Sequence, residues 1–131
     1  MYRILVGIAR DEERARAQAE FVESLPAASA EVEAILMHIF QDNPEGAGVP
    51  QIEAVRQMAD ILEEAGIEYE LYESSGEPAP EVVKAAEERD VDMICLSARQ
   101  RSPTGKVVFG SVTQDVILST DRPVVTVSPE D

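Results

Sequence analysis

The sequence has one cysteine, one histidine and no tryptophan, and these scarcities exclude several kinds of site. With Cys95 alone, no disulfide can form within the chain, and neither Cys95 nor His38 has neighbouring ligands at metal-binding spacing. We therefore expect no metal site. Cys95 belongs to the apolar segment MICLS, so we expect it to be buried as a small hydrophobic residue. For His38 we expect a packing role.

Positive charge is also scarce. The 131 residues include 26 acidic and 11 basic side chains, a formal net charge of −15, and only Lys84 and Lys106 are lysines. Because nucleic acids bind through cations that displace counterions, we expect no nucleic acid partner. The acidic residues are spread along predicted helices, which suits concentrated salt, where the Debye length falls to about 3 Å at 1 M. We therefore expect a halophilic source.

Long apolar runs are missing as well. None approaches the roughly 20 residues of a transmembrane helix. The segment MYRILVGIAR has no basic stretch followed by a longer apolar core and a cleavage site. We expect a cytoplasmic protein that does not bind membranes. Apolar residues still make up 44% of the chain, enough for one core, so we expect a single domain over residues 1–131.

What the sequence contains is an alternation of short apolar runs and amphipathic segments. The apolar runs predict five strands, at Tyr2–Ile8, Val32–Ile39, 67–73, 91–97 and Val124–Val127. Apolar residues at helical spacing predict four helices, over 10–25 with Asp11 as N-cap, over 51–65, from near Pro80, and from Ser111. This alternation implies right-handed parallel crossovers and therefore an α/β fold, a three-layer α/β/α sandwich around a parallel sheet.

Open parallel sheets bind ligands beyond the carboxyl ends of their strands, where the winding reverses direction. If the reversal follows the third strand, the first and fourth strands become neighbours, and the loops after Ile8 and Leu96 form the walls of a crevice. The second of these loops, SARQRSPTGKVVFGSV, carries Arg99, Arg101 and Lys106 in a chain poor in cations.

Two segments, SGEPAPEVVKAAEERDVDMICLS and FGSVTQDVILSTDRPVVTV, resemble the universal stress protein family, and the resemblance extends from ILVGI to PVVTV. Its most specific part is Gly110-Ser111 at the start of a helix. The resemblance implies a Rossmann-like sheet of order 3-2-1-4-5, similar to adenine nucleotide alpha hydrolases, and a homodimer formed through the last strand. The residues of that strand are Val124, Val125, Thr126 and Val127.

Many members of that family bind ATP through a G-x2-G-x9-G-S/T motif after strand four, with an Asp after strand one near the adenine. The match here is partial, since Ser97 and Gln100 replace the first two glycines and Ala9 replaces the Asp. Glycine allows the backbone to approach a phosphate closely, and a charged hydrogen bond contributes roughly 1.5 to 3 kcal/mol. These losses predict a weakened nucleotide site.

The same loop has gained other groups. A helix that begins at Ser111 directs backbone amides at an anion, and Arg99 and Arg101 suit phosphate. The candidate nucleotide or anion contacts are Ile8, Ala9, Ile39, Leu96, Ser97, Arg99, Gln100, Arg101, Gly110, Ser111 and Val112. The alternative for Arg99, Arg101 and Lys106 is ion pairing with neighbouring carboxylates or exposure to solvent at a dimer surface. The alternative for Gly110 and Ser111 is a helix cap.

No residue pattern identifies a catalytic site. Ser111 has no activating histidine within the motif, so we expect no enzyme, and at most slow ATP hydrolysis if nucleotide binds. Two functions remain open. The sequence favours a homodimeric interaction and signalling module of the stress response with a degenerate nucleotide site. For this module we expect no certain cofactor, and the sequence does not identify its protein partners. The alternative is a stress protein that binds ATP, AMP or another anion through the altered loop.

The charge balance makes salt dependence a direct prediction. Self-repulsion among the surplus carboxylates is screened in concentrated salt, so the melting temperature should rise steeply from dilute buffer to multimolar KCl. Thermal unfolding followed by circular dichroism measures this rise. A melting temperature that stays the same in dilute buffer would contradict the halophilic interpretation.

Overall fold

A computed structural model describes residues 1–9, 11–40, 49–98, 100–101, 107–108 and 110–129, with only the backbone described at 40, 49–52, 100–101 and 107–108. The strands are β1 Tyr2–Gly7, β2 Val32–Phe40, β3 Glu68–Ser75, β4 Met93–Ser97, β5 Gln100–Arg101, β6 Val107–Val108 and β7 Val124–Val127. The helices are α1 Glu12–Glu23, α2 Ala28–Glu31, α3 Val49–Glu64, α4 Pro78–Glu88 and α5 Ser111–Ser119.

Five of the strands form one parallel sheet with the order β3-β2-β1-β4-β7. The central strand β1 pairs with β2 along its whole length and with β4 from Ile4, opposite Met93, to Val6, opposite Cys95. The winding therefore reverses after β3. Since β7 is the fifth predicted strand, the predicted α/β fold and its 3-2-1-4-5 order are confirmed.

Both faces of the sheet are covered, which explains the nearly continuous apolar runs. Along β1, Ile4 and Val6 point to a core cluster that includes Ala19 of α1 and Met58 of α3. Leu5, between them, belongs to the opposite cluster with side chains of α4 and α5. Cys95 is fully buried in the first cluster, as predicted.

Several local expectations need correction. The fourth helix of the chain, α4, begins at Pro78, so that Pro78 and Pro80 both lie in its first turn, where the missing proline N–H costs no hydrogen bond. The first strand ends at Gly7 and not at Ile8. The single-turn helix α2 was not predicted, and neither was the antiparallel pair β5 and β6 within the loop after β4.

The predicted starts of two helices are confirmed. Asp11 is the N-cap of α1, and its carboxylate accepts a hydrogen bond from the backbone N–H of Arg14. α5 begins at Ser111. None of the helices in the described part of the chain is long and apolar enough to cross a membrane.

Candidate functional site

A cavity of ≈ 480 Å³ opens beyond the carboxyl ends of β1, β2 and β4, at the point where the winding reverses. This volume lies within the usual range of small-molecule sites. The predicted site residues that line it are Ile8, Ala9, Ile39, Leu96, Ser97, Gly110, Ser111 and Val112. We refer to this cavity as the crevice.

The basic residues of the loop after β4 are not placed in the crevice by the structure. Arg99 and Lys106 lie outside the described residues, and only the backbone of Gln100 and Arg101 is described, in β5. Whether Arg99 and Arg101 contact a ligand or neighbouring carboxylates therefore stays a prediction.

One wall of the crevice is the first turn of α5. Gly110 is the N-cap in an extended conformation, and as a glycine it has no side chain to cap the helix. The first N–H groups of an α-helix have no acceptor within the helix and carry the positive end of its dipole. Ser111, Val112 and Thr113 all line the crevice, so this end of α5 directs donors at the space. The first turn contains no acidic residue.

The opposite wall includes the turn from β1 to α1, and the buried side chain of Gln18 holds this turn in place. Its amide nitrogen donates to the carbonyl oxygen of Gly7 at 2.9 Å, and its amide oxygen accepts from the N–H of Ala9 at 3.0 Å. The N–H of Ala9 is thus already satisfied within the protein. Sequence reasoning missed Gln18, because its partners are backbone groups that only the fold brings near.

The same glutamine contacts the cysteine. Burial raises the pKa of the Cys95 thiol to about 12, although the neighbouring side chain of Gln18 acts to lower it. A thiol with such a pKa stays protonated at neutral pH and is a poor nucleophile. Cys95 is therefore a structural residue beneath the crevice.

Gly7 leaves room for the side chain of Leu96 at the floor of the crevice. A Cβ atom at this position would lie 2.8 Å from Cδ2 of Leu96, whose side chain is buried and also lines the crevice. Any larger residue at position 7 would therefore displace Leu96 and change the shape of the floor.

Arg14, which the sequence analysis did not select, also lines the crevice. Its Nε donates to the Asp11 carboxylate at 2.6 Å, and its side chain is 25% exposed. Burial alone would raise the pKa of Asp11, but the hydrogen bonds and the charge from Arg14 outweigh it and hold the pKa below its ordinary value. The Asp11 carboxylate is therefore charged at neutral pH.

The chemistry of the crevice suits recognition more than metal chemistry. Ile8, Ile39 and Leu96 provide apolar surface, while α5 and Arg14 provide donors. Half-buried His38 lines the crevice too. Within the described ranges, no group of three histidine, cysteine or acidic residues is placed to hold a metal ion.

The sheet order and the crevice at its switch point define a doubly wound α/β fold. The model of the universal stress protein family matches residues 1–128, and the chain belongs to that family.

Individual relatives agree with this assignment. The universal stress protein of Mycolicibacterium smegmatis is 32% identical over 69 residues, which cover 52% of this chain and 53% of that protein. The chain spans about half the length of the curated relatives that it matches. A solved universal stress protein from Archaeoglobus fulgidus is 30% identical with a TM-score of 0.76, over 97% of this chain and 98% of that one. An Archaeoglobus fulgidus universal stress protein in complex with dAMP is 26% identical with a TM-score of 0.73, at the same coverage.

Replacing Gln18 by methionine should destabilise the protein by roughly 2 to 4 kcal/mol, because two buried backbone groups lose their partner. Chemical unfolding at high salt measures the change. The matched control is Glu20→Met, at an exposed position of the same helix, which should change stability by at most about 0.5 kcal/mol. Equal stability of the two variants would show that Gln18 does not hold the turn.

Proposed function

We propose that the protein binds an adenine nucleotide in the crevice at the carboxyl ends of β1 and β4. The observation that carries this proposal is the joint presence, around one ligand-sized cavity, of apolar walls and the N-terminus of α5. An adenine ring packs against apolar walls, and a phosphate binds the backbone N–H groups at a helix N-terminus. The dAMP complex of the relative from Archaeoglobus fulgidus supports a ligand of this class.

The loss of the first motif glycine is less damaging than the sequence suggests. Among described residues other than glycine, only Ala27 and Asp90 have a positive φ, so Ser97 adopts an ordinary backbone conformation. Its hydroxyl donates to the carbonyl oxygen of Ala98 at 3.2 Å. Serine therefore causes no backbone strain at this edge of the crevice, which supports retention of binding over loss.

Calorimetric titration of AMP and ATP in multimolar KCl tests this proposal, with Ser111→Glu as the diagnostic variant. A carboxylate on the first residue of α5 favours the helix but repels a phosphate at the same place. We expect the variant to bind AMP at least about tenfold more weakly, which is 1.4 kcal/mol, and to unfold at an unchanged or higher temperature.

The matched control is Gln114→Glu, which makes the same charge change on an exposed residue of α5 that does not line the crevice. Because the Debye length in molar salt is about 3 Å, its charge should leave AMP affinity nearly unchanged. Absence of binding by the unmodified protein would refute the proposal. Equal weakening by both variants would place the phosphate elsewhere.

We also propose that the protein is a homodimeric interaction module of the stress response and that β7 forms the dimer contact. β7 is the last strand of the described sheet. The backbone N–H of Ile94 donates to the carbonyl oxygen of Pro123, and the N–H of Ala98 donates to that of Val127. Successive residues of a strand direct their backbone groups to opposite sides, so the N–H and C=O of Thr126 face the open edge. Such an edge is a template for pairing with a second strand.

Exposed apolar side chains on the preceding helix support the same contact. Leu118 of α5 is 84% exposed and its neighbour Ile117 is 43% exposed. Removal of such apolar surface from water favours association. We propose that a second copy that pairs through β7 also covers these two side chains.

Light scattering coupled to size exclusion should give a dimer for the unmodified protein and a monomer for Leu118→Glu and Thr126→Pro. The proline removes an N–H from the open edge alone. The control is Leu71→Glu, because Leu71 is 54% exposed on β3, the strand at the other edge of the sheet. A dimer that only Leu71→Glu disrupts would assign the contact to β3, and a monomeric unmodified protein would refute the module.

A further inference from the structure

The described lining of the crevice differs in charge from the protein as a whole. The chain has a net charge of −15, yet no aspartate or glutamate is among the described residues that line the crevice. Arg14 is the only lysine or arginine among those same lining residues. The acidic surface of the protein repels anions. An anion is attracted to the crevice only where a local cation outweighs this repulsion.

The guanidinium of Arg14 is held in a defined place. Asp11 caps α1 through the backbone N–H of Arg14 at 2.8 Å and binds Nε of the same residue at 2.6 Å. One residue thus fixes both the start of the helix and the direction of the arginine side chain. The side-chain bond uses one of five guanidinium N–H donors, so donor capacity remains for an oxyanion.

Asp11 occupies only part of the guanidinium. The described bond to the Asp11 carboxylate uses Nε alone, and the two side chains are 25% and 53% exposed. Bonds between a guanidinium and a phosphate are among the stronger charge-assisted ones. A phosphate in the crevice can therefore share the guanidinium with Asp11.

We propose that Arg14 makes the site select ligands by their phosphate, so that a nucleoside monophosphate binds and the corresponding nucleoside binds weakly. The phosphate is held between Arg14 on the α1 side and the amides of α5 on the other. This inference rests on the proposed nucleotide site and adds to it the selection of ligands that carry a phosphate. Asp11 is the positioning residue for Arg14.

The test is the ratio of the affinities for AMP and adenosine, measured by calorimetry in the same salt. Arg14→Ala should lower AMP affinity about tenfold and leave adenosine affinity unchanged, whereas Arg14→Lys should restore part of the loss. The alanine variant keeps the backbone N–H that Asp11 caps, so it should fold, which its melting temperature verifies. The control is Arg16→Ala, an exposed residue of α1 that does not line the crevice.

The outcomes separate the two proposals. If the unmodified protein binds AMP and Arg14→Ala changes the affinities for AMP and adenosine equally, or changes neither, the selectivity inference is wrong while the nucleotide site stands. If Arg16→Ala lowers AMP affinity as much as Arg14→Ala, the effect is general electrostatics and the inference fails. If the unmodified protein binds neither compound, both proposals are overturned.

Discussion

The pairing of β1 with β2 on one side and with β4 on the other is the constraint on which the rest of the structure depends. Because β1 is central, it needs apolar side chains on both faces, and Ile4, Leu5 and Val6 are all fully buried. Because the chain winds away from β1 in both directions, the connections that follow β1 and β4 leave on opposite faces of the sheet. The gap between these connections is the crevice.

The two walls of the crevice follow from this arrangement. α1 packs on one face and α5 on the other, and both begin beside the carboxyl ends of the central strands. Gln18 and Gly7 then adjust the gap, the first by holding the turn after β1 and the second by allowing Leu96 to approach. The crevice thus has a defined shape, and we expect a change at Gln18 or Gly7 to alter that shape.

Sequence patterns predicted most of the fold because burial on both faces requires apolar runs that are easy to identify. They predicted the walls of the crevice for the same reason, since Ile8 and Leu96 end such runs. Gln18 and Arg14 were missed because each appears in the sequence as an ordinary polar residue of an amphipathic helix. In the folded chain α1 approaches the end of β1. This approach buries Gln18, which holds the turn, and places Arg14 at the crevice. The two-residue strands β5 and β6 are too short to produce a periodic pattern.

The central claim is that an adenine nucleotide binds with its phosphate at the N-terminus of α5. Amide chemical shifts recorded during addition of AMP test it most directly, because each backbone N–H reports its own surroundings. The account predicts that the largest shifts occur at Ser111, Val112 and Thr113, with smaller shifts at Ile8 and Ile39. Shifts confined to α3 and β3, or none at saturating AMP, would contradict it.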